Sequence, residues 1–229
     1  MNRIEYETIE KHMLKIMKDA AHDRLHIYRV LYLGLKIAKS EKDVDLDVLI
    51  AACLLHDIGR EDQFVDNMVC HAEAGAKSAY EFLINNAWSK QKAEHVSDCI
   101  STHRFRGDNY PQSLEAKILY DSDKIDATGA LGIARSLIYE GIISEPIYRF
   151  DSYGLVLKEF SDEGSSFVQE YNFKLKNVYN NFYTALGRKI ADEHESISKL
   201  FYKSIINEVT EAHTGSEMLL KEALDEKSF

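Results

Sequence analysis

Proline and cysteine are both scarce in this 229-residue chain, with two and three copies respectively. Pro111 and Pro146 leave long stretches in which a helix meets no obstacle. Cys53, Cys70 and Cys99 are odd in number and form no C-x-x-C pair, so neither a disulfide framework nor a cysteine zinc site is expected. No apolar stretch nears the ~18 residues of a membrane span. The start, Met1-Asn2-Arg3-Ile4-Glu5-Tyr6, is acidic and polar where a secretory signal is basic and then apolar, so the chain reads as cytoplasmic with no membrane partner. Positive charge is short as well. With 28 Lys and Arg against 38 Asp and Glu, the net charge of −10 disfavours a nucleic-acid polymer. A small phosphorylated substrate stays open, because a metal and a few local basic groups can hold one despite a negative surface.

What is present is helical periodicity with ordinary globular composition, 45% hydrophobic and 29% charged. The spacing predicts helices over 3–20, 24–39, 46–58, 71–85, 89–103 and 114–140, the last bent near Gly129 and Gly132. Val48-Leu49-Ile50-Ala51-Ala52-Cys53-Leu54-Leu55 is apolar all round and reads as the central buried helix. From Phe167 the series Tyr171, Leu175, Val178, Phe182, Leu186 and Ile190 predicts one long helix or two. The tail after Gly215 is expected to be loosely ordered, and Ser161–Ser166 is the one linker-like stretch. An all-α protein follows, a single domain over 1–229.

His56-Asp57, at the end of the most hydrophobic helix, sets an imidazole beside a carboxylate. A lone pair of this kind is commonly solvated, but a buried carboxylate needs a countercharge, and a divalent cation satisfies both groups. His26 lies thirty positions earlier on an apolar helix face, where a hydrogen-bonded core histidine is the more ordinary outcome. Asp123 sits among three closely spaced acids, Asp121, Asp123 and Asp126. Two His and two Asp suit a six-coordinate ion better than a tetrahedral structural zinc. His12, His95, His194 and His213 fit surface positions, and His22 lacks partners for a zinc pair with His26.

The order H…HD…D resembles the HD superfamily of metal-dependent phosphohydrolases, and in particular its small bacterial members. Asp23-x-x-His26-x-x-Arg29-Val30, Leu54-Leu55-His56-Asp57-Ile58-Gly59, His71-Ala72-Glu73-Ala74-Gly75-Ala76, Ile100-x-x-His103-Arg104-Phe105-Arg106 and Asp121-Ser122-Asp123-Lys124-Ile125-Asp126 carry the likeness, which extends over roughly 20–210. The resemblance implies an HD-domain helical bundle, with its core over about 20–135 and C-terminal helices over about 165–212. It implies His26, His56, Asp57 and Asp123 as ligands of one divalent ion (Mn, Mg, Fe, Co, Ni or Zn), with room for a second.

By the same resemblance Asp121 and Asp126 are acids orienting ligands or water. His71 and His103 hold substrate phosphate first and a second metal next. Arg60, Arg104, Arg106 and Lys124 are further phosphate contacts, and Asp57 or Glu61 takes the proton from water. The implied reaction is nucleotide hydrolysis, led by pyrophosphate release from a nucleoside triphosphate. Nucleoside monophosphate or cyclic-nucleotide hydrolysis, or a non-catalytic nucleotide-binding module, are the alternatives, and a homodimer is compatible with all of them. Arg60-Glu61 stands where relatives that hydrolyse guanosine alarmones carry an acidic pair, which weakens that reading.

Overall fold

The computed structural model describes residues 1–17, 24–66, 68–104, 109–160 and 164–225. Ten α-helices are assigned among them, with no strand and one isolated bridge, Phe150–Val156. They are α1 (Arg3–Ile16), α2 (Arg24–Ala38), α3 (Leu46–Leu55), α4 (Arg60–Val65), α5 (His71–Asn85), α6 (Lys90–Thr102), α7 (Leu114–Asp126), α8 (Gly129–Ile142), α9 (Phe167–Phe173) and α10 (Ala185–Asp225), with a 3₁₀ turn at Leu175–Asn180. Side-chain caps start several of them. Asn2 and Glu5 form a reciprocal capping box on α1, and Asp45 and Ser89 accept from the first turns of α3 and α6.

Three departures from the sequence reading have local causes. The 114–140 segment is two helices, because Gly129 begins α8 at φ +64, a conformation that breaks α-helical continuity. Residues 60–65 form the short α4, for which the sequence shows no full amphipathic period. Beyond Gly215 the chain stays helical to Asp225, where Glu217–Glu222 supplies good helix formers and no breaker follows.

The chain divides into two compact units, Met1–Asp126 with Phe182–Ile190, and Ala127–Asn181 with Ala191–Phe229. In the first, α3 is the hub and packs on α1, α2, α6 and α7. Val48, Leu49 and Ala51–Leu55 are all fully buried there, at about 1.5–3 kcal/mol for each large side chain. Asp121 serves this unit as an anchor. Its fully buried carboxylate accepts from the Tyr183 and Thr184 amides at 3.0 and 2.8 Å and from the Thr184 hydroxyl at 2.7 Å. It is therefore a cap for the start of α10 and not an acid that orients the candidate ligands.

The second unit has a smaller apolar cluster around Ile133, Phe167 and Tyr171. Polar pairs support it. The Tyr179 hydroxyl lies 2.6 Å from that of Ser198 and accepts from the Gly129 amide, and Thr128 Oγ1 is 2.7 Å from His194 Nδ1.

Candidate metal centre

Five segments of the first unit bring the chemistry together. The first two turns of α2 supply His26 and Arg29, the turn after α3 supplies His56 and Asp57, and the start of α5 supplies His71. The end of α6 supplies His103, and α7 supplies Asp123 and Asp126 one turn apart. The turn at Asp57 can reach α5 only because residue 59 is glycine. A Cβ there would collide with the His71 carbonyl and the Gly75 amide.

The outer nitrogen of each histidine is fixed. His56 Nδ1 donates to the Cys53 carbonyl at 2.9 Å and His103 Nδ1 to the Ile100 carbonyl at 2.6 Å, the same three-residue reach back at the end of two helices. His26 Nδ1 donates to Asp126 Oδ2 at 2.7 Å, and that carboxylate is gripped by Arg29 Nε and Nη2 at 2.6 and 3.1 Å. His71 Nδ1 meets Gln63 Oε1 at 2.7 Å. The oxygen acceptors of His26, His56 and His103 place a proton on each of those Nδ1 atoms, and in all four rings Nε2 is the nitrogen turned inward.

Those four inward nitrogens converge on carboxylates. His26 Nε2 is 3.2 Å from His56 Nε2, 3.3 Å from Asp123 Oδ1 and 3.7 Å from Asp57 Oδ2. His56 Nε2 lies 3.7 Å from Asp57 Oδ2 and 3.8 Å from Asp123 Oδ1. On the other side of Asp57, Oδ1 is 3.5 Å from His71 Nε2 and 3.7 Å from His103 Nε2. Asp57 Oδ1 and His71 Nε2 are buried without a hydrogen-bond partner. Lone pairs facing anions in a buried place repel unless a cation lies between them. The donor set therefore fits divalent ions, with His26, His56 and Asp123 forming one potential ligand group and Asp57, His71 and His103 a second.

The electrostatics agree. Burial opposes charge on His26, yet Asp123 and Asp126 push it up to about 9, so a proton is what holds those acids together when no ion does. Burial drives His56 down to about 4, and burial with the nearby Arg60 drives His71 down to about 3. Burial alone would raise Asp57 and Asp123, but the imidazoles, with Arg60 beside the first and Lys124 beside the second, hold both carboxyls below their usual range.

The remaining expected residues lie around this cluster in different ways. Arg60 Nε pairs with Asp57 Oδ2 at 2.9 Å, and Arg104 Nη1 is 3.5 Å from Gln63 Oε1 and 3.2 Å from His71 Nδ1. The Lys124 ammonium rests 5.4 Å from the centroid of the Tyr120 ring, and Glu61 is exposed on the first turn of α4. Asp23, His22 and Arg106 lie outside the described residues. His12, His95, His194 and His213 are half-buried rather than simply solvated, stacked on Phe82, facing Glu115, bonded to Thr128 and stacked on Phe150 respectively. Gln63 was not singled out by sequence reasoning. Had α4 been foreseen, its position three residues after Arg60 on one helix face would have marked it.

Comparison with known proteins follows the same lines. A model of the HD domain matches residues 25–128, the segment that holds every one of these ligand candidates. A crystal structure of a predicted HD-superfamily hydrolase from an uncultured Thermotogales bacterium is 30% identical, covering 90% of this chain and 92% of its own, with a TM-score of 0.59. The chain belongs to the HD superfamily of metal-dependent hydrolases. Among its relatives, YpgQ of Bacillus subtilis is 26% identical over 211 residues, covering 89% of this chain and 93% of YpgQ. The YpgQ structure in complex with ADP superposes with a TM-score of 0.68 at 22% identity, over 90% of this chain and 95% of that one. An HD-superfamily hydrolase from Bacillus thuringiensis shares the fold, with a TM-score of 0.65 at 24% identity over 90% and 97% of the two chains.

Proposed function

We propose that this HD-superfamily hydrolase is a nucleotide phosphohydrolase whose centre would hold two divalent ions, with Asp57 among the residues facing both. One ion would lie among His26, His56, Asp57 and Asp123, the other among Asp57, His71 and His103. The observation that carries the reading is the convergence of four inward imidazole nitrogens on the two faces of one buried carboxylate. His71 and His103 suit ion binding better than the phosphate role first expected of them. Their inner nitrogens both face Asp57 Oδ1, at 3.5 and 3.7 Å.

When bound, divalent ions would supply positive charge to a phosphoryl oxygen and lower the pKa of an attacking water. The chain's own part is geometric and electrostatic. Asp57, held below its usual range, keeps its charge throughout and is a weak proton acceptor. Glu61, solvent-facing beside Arg60, is the acid left to receive the proton. Arg60, Arg104 and Lys124 border the cluster as cations able to meet the outer phosphates of a substrate. A nucleotide is the substrate class favoured by the ADP held by YpgQ. Within that class, pyrophosphate release from a nucleoside triphosphate is the leading reaction.

The test is phosphate and pyrophosphate release from a panel of ribo- and deoxyribonucleotides with Mn²⁺, Mg²⁺, Co²⁺ or Ni²⁺, run beside His56→Ala. Turnover that vanishes in the variant supports the reading, and its product identifies the bond cut. Equal turnover in the variant contradicts it.

A further inference from the structure

The two faces of Asp57 are built from different chemistry. On one, His26 is backed by the Asp126 carboxylate, and Asp57 Oδ2 and Asp123 Oδ1 both face it, even though Arg60 shares that Asp57 oxygen. On the other, Asp57 Oδ1 is the one carboxylate oxygen in the ligand group among the described residues. His103 there is backed by a main-chain carbonyl. His71 is backed by the neutral amide of Gln63 at 2.7 Å, with the Arg104 guanidinium 3.2 Å from the same ring nitrogen. A carboxylate behind an imidazole raises its strength as a ligand. An amide does this less, and an adjacent guanidinium opposes any further positive charge.

Resting on the two-ion reading above, we infer that Gln63, with Arg104 against it, makes the Asp57–His71–His103 position the weaker and more exchangeable of the two. Gln63 is a positioning residue. It acts through His71, holding the ring at Nδ1 and setting how strongly Nε2 binds. The chain then keeps one ion at low metal concentration and takes up the second only as the concentration rises.

Calorimetric titration with Mn²⁺ of the full chain and of the near-isosteric variants Gln63→Glu and Gln63→Leu tests this, with thermal melts to show that all three fold. The wild type is expected to give a tight and a weak event. Gln63→Glu should tighten the weak event by ~10–100-fold and Gln63→Leu should loosen it by a similar factor, leaving the tight event in place. Opposite shifts from two side chains of nearly one size are not what a purely structural role produces. Two events that neither variant moves, or that both move in one direction, would overturn the role of Gln63 and leave the two-ion reading standing. A single event in all three proteins at saturating Mn²⁺ would remove the two-ion reading and this inference with it.

Discussion

The two compact units treat buried polar groups in opposite ways. In the second, the buried Ser166, Gln169, Tyr179 and Ser198 answer one another with neutral hydrogen bonds, and the structure is satisfied by its own atoms. Glu140 is the exception there, a buried acid pushed up by burial and by Glu170 toward its neutral form. In the first unit, His26, His56, Asp57, His71 and His103 are buried with their outer atoms bonded and their inner atoms aimed at one another. A protein that hydrogen-bonds the back of its histidines and leaves Asp57 Oδ1 and His71 Nε2 without a partner has organised that space for a cation. The contrast locates the chemistry in the first unit.

Asp57→Asn keeps the shape but removes the charge shared between the two faces. Activity measured on the nucleotide panel should fall by about 10³-fold or more, equivalent to roughly 4 kcal/mol in the barrier. A variant within tenfold of wild type would break the argument that Asp57 joins both faces.

The pH dependence comes next. Because the His26 proton must leave before an ion can enter, Mn²⁺ affinity measured by titration should rise about tenfold per pH unit below about 9 and level off above it. Without metal the sign reverses for folding. His26 is raised from 6.5 to about 9, so its contribution to stability is full below pH 6.5 and lost as pH climbs through about 9, which thermal melts of the chelator-treated chain would show. An affinity flat between pH 6.5 and 9 would mean that no His26 proton competes with the ion.

Two substitutions probe the scaffolding of each unit. Gly59→Ala should cost about 1–3 kcal/mol in denaturant unfolding and also weaken metal binding, since relief of the clash moves α5 and His71. Tyr179→Phe, in the second unit, should cost about 1 kcal/mol and leave metal affinity untouched. A loss of metal binding in Tyr179→Phe would erase the division of labour between the units.

Much of this was legible in the sequence, for identifiable reasons. The unbroken apolar run 48–55 announces the central helix because only a fully buried helix tolerates it, and the His56-Asp57 pair at its end is conspicuous for the same reason. Asp123 and Asp121 differ by two positions, which on a helix means nearly opposite faces. Spacing alone cannot say which face looks at α2, and the packing of α7 against α2 settles it, sending Asp123 to His26 and Asp121 to Thr184. Gln63 was hidden because α4 is too short for a periodic signal. The fixed protons on His56 Nδ1 and His103 Nδ1 were hidden because their acceptors are main-chain carbonyls, which carry no mark in a sequence.

The most direct test of the central claim is a crystal of the full chain soaked in Mn²⁺ and measured at the manganese absorption edge. The account predicts anomalous peaks on both faces of Asp57, one bounded by His26, His56 and Asp123 and the other by His71 and His103, with the second weaker at low Mn²⁺. Crystals that bind Mn²⁺ only at surface carboxylates, with nothing between the four imidazoles, would contradict it.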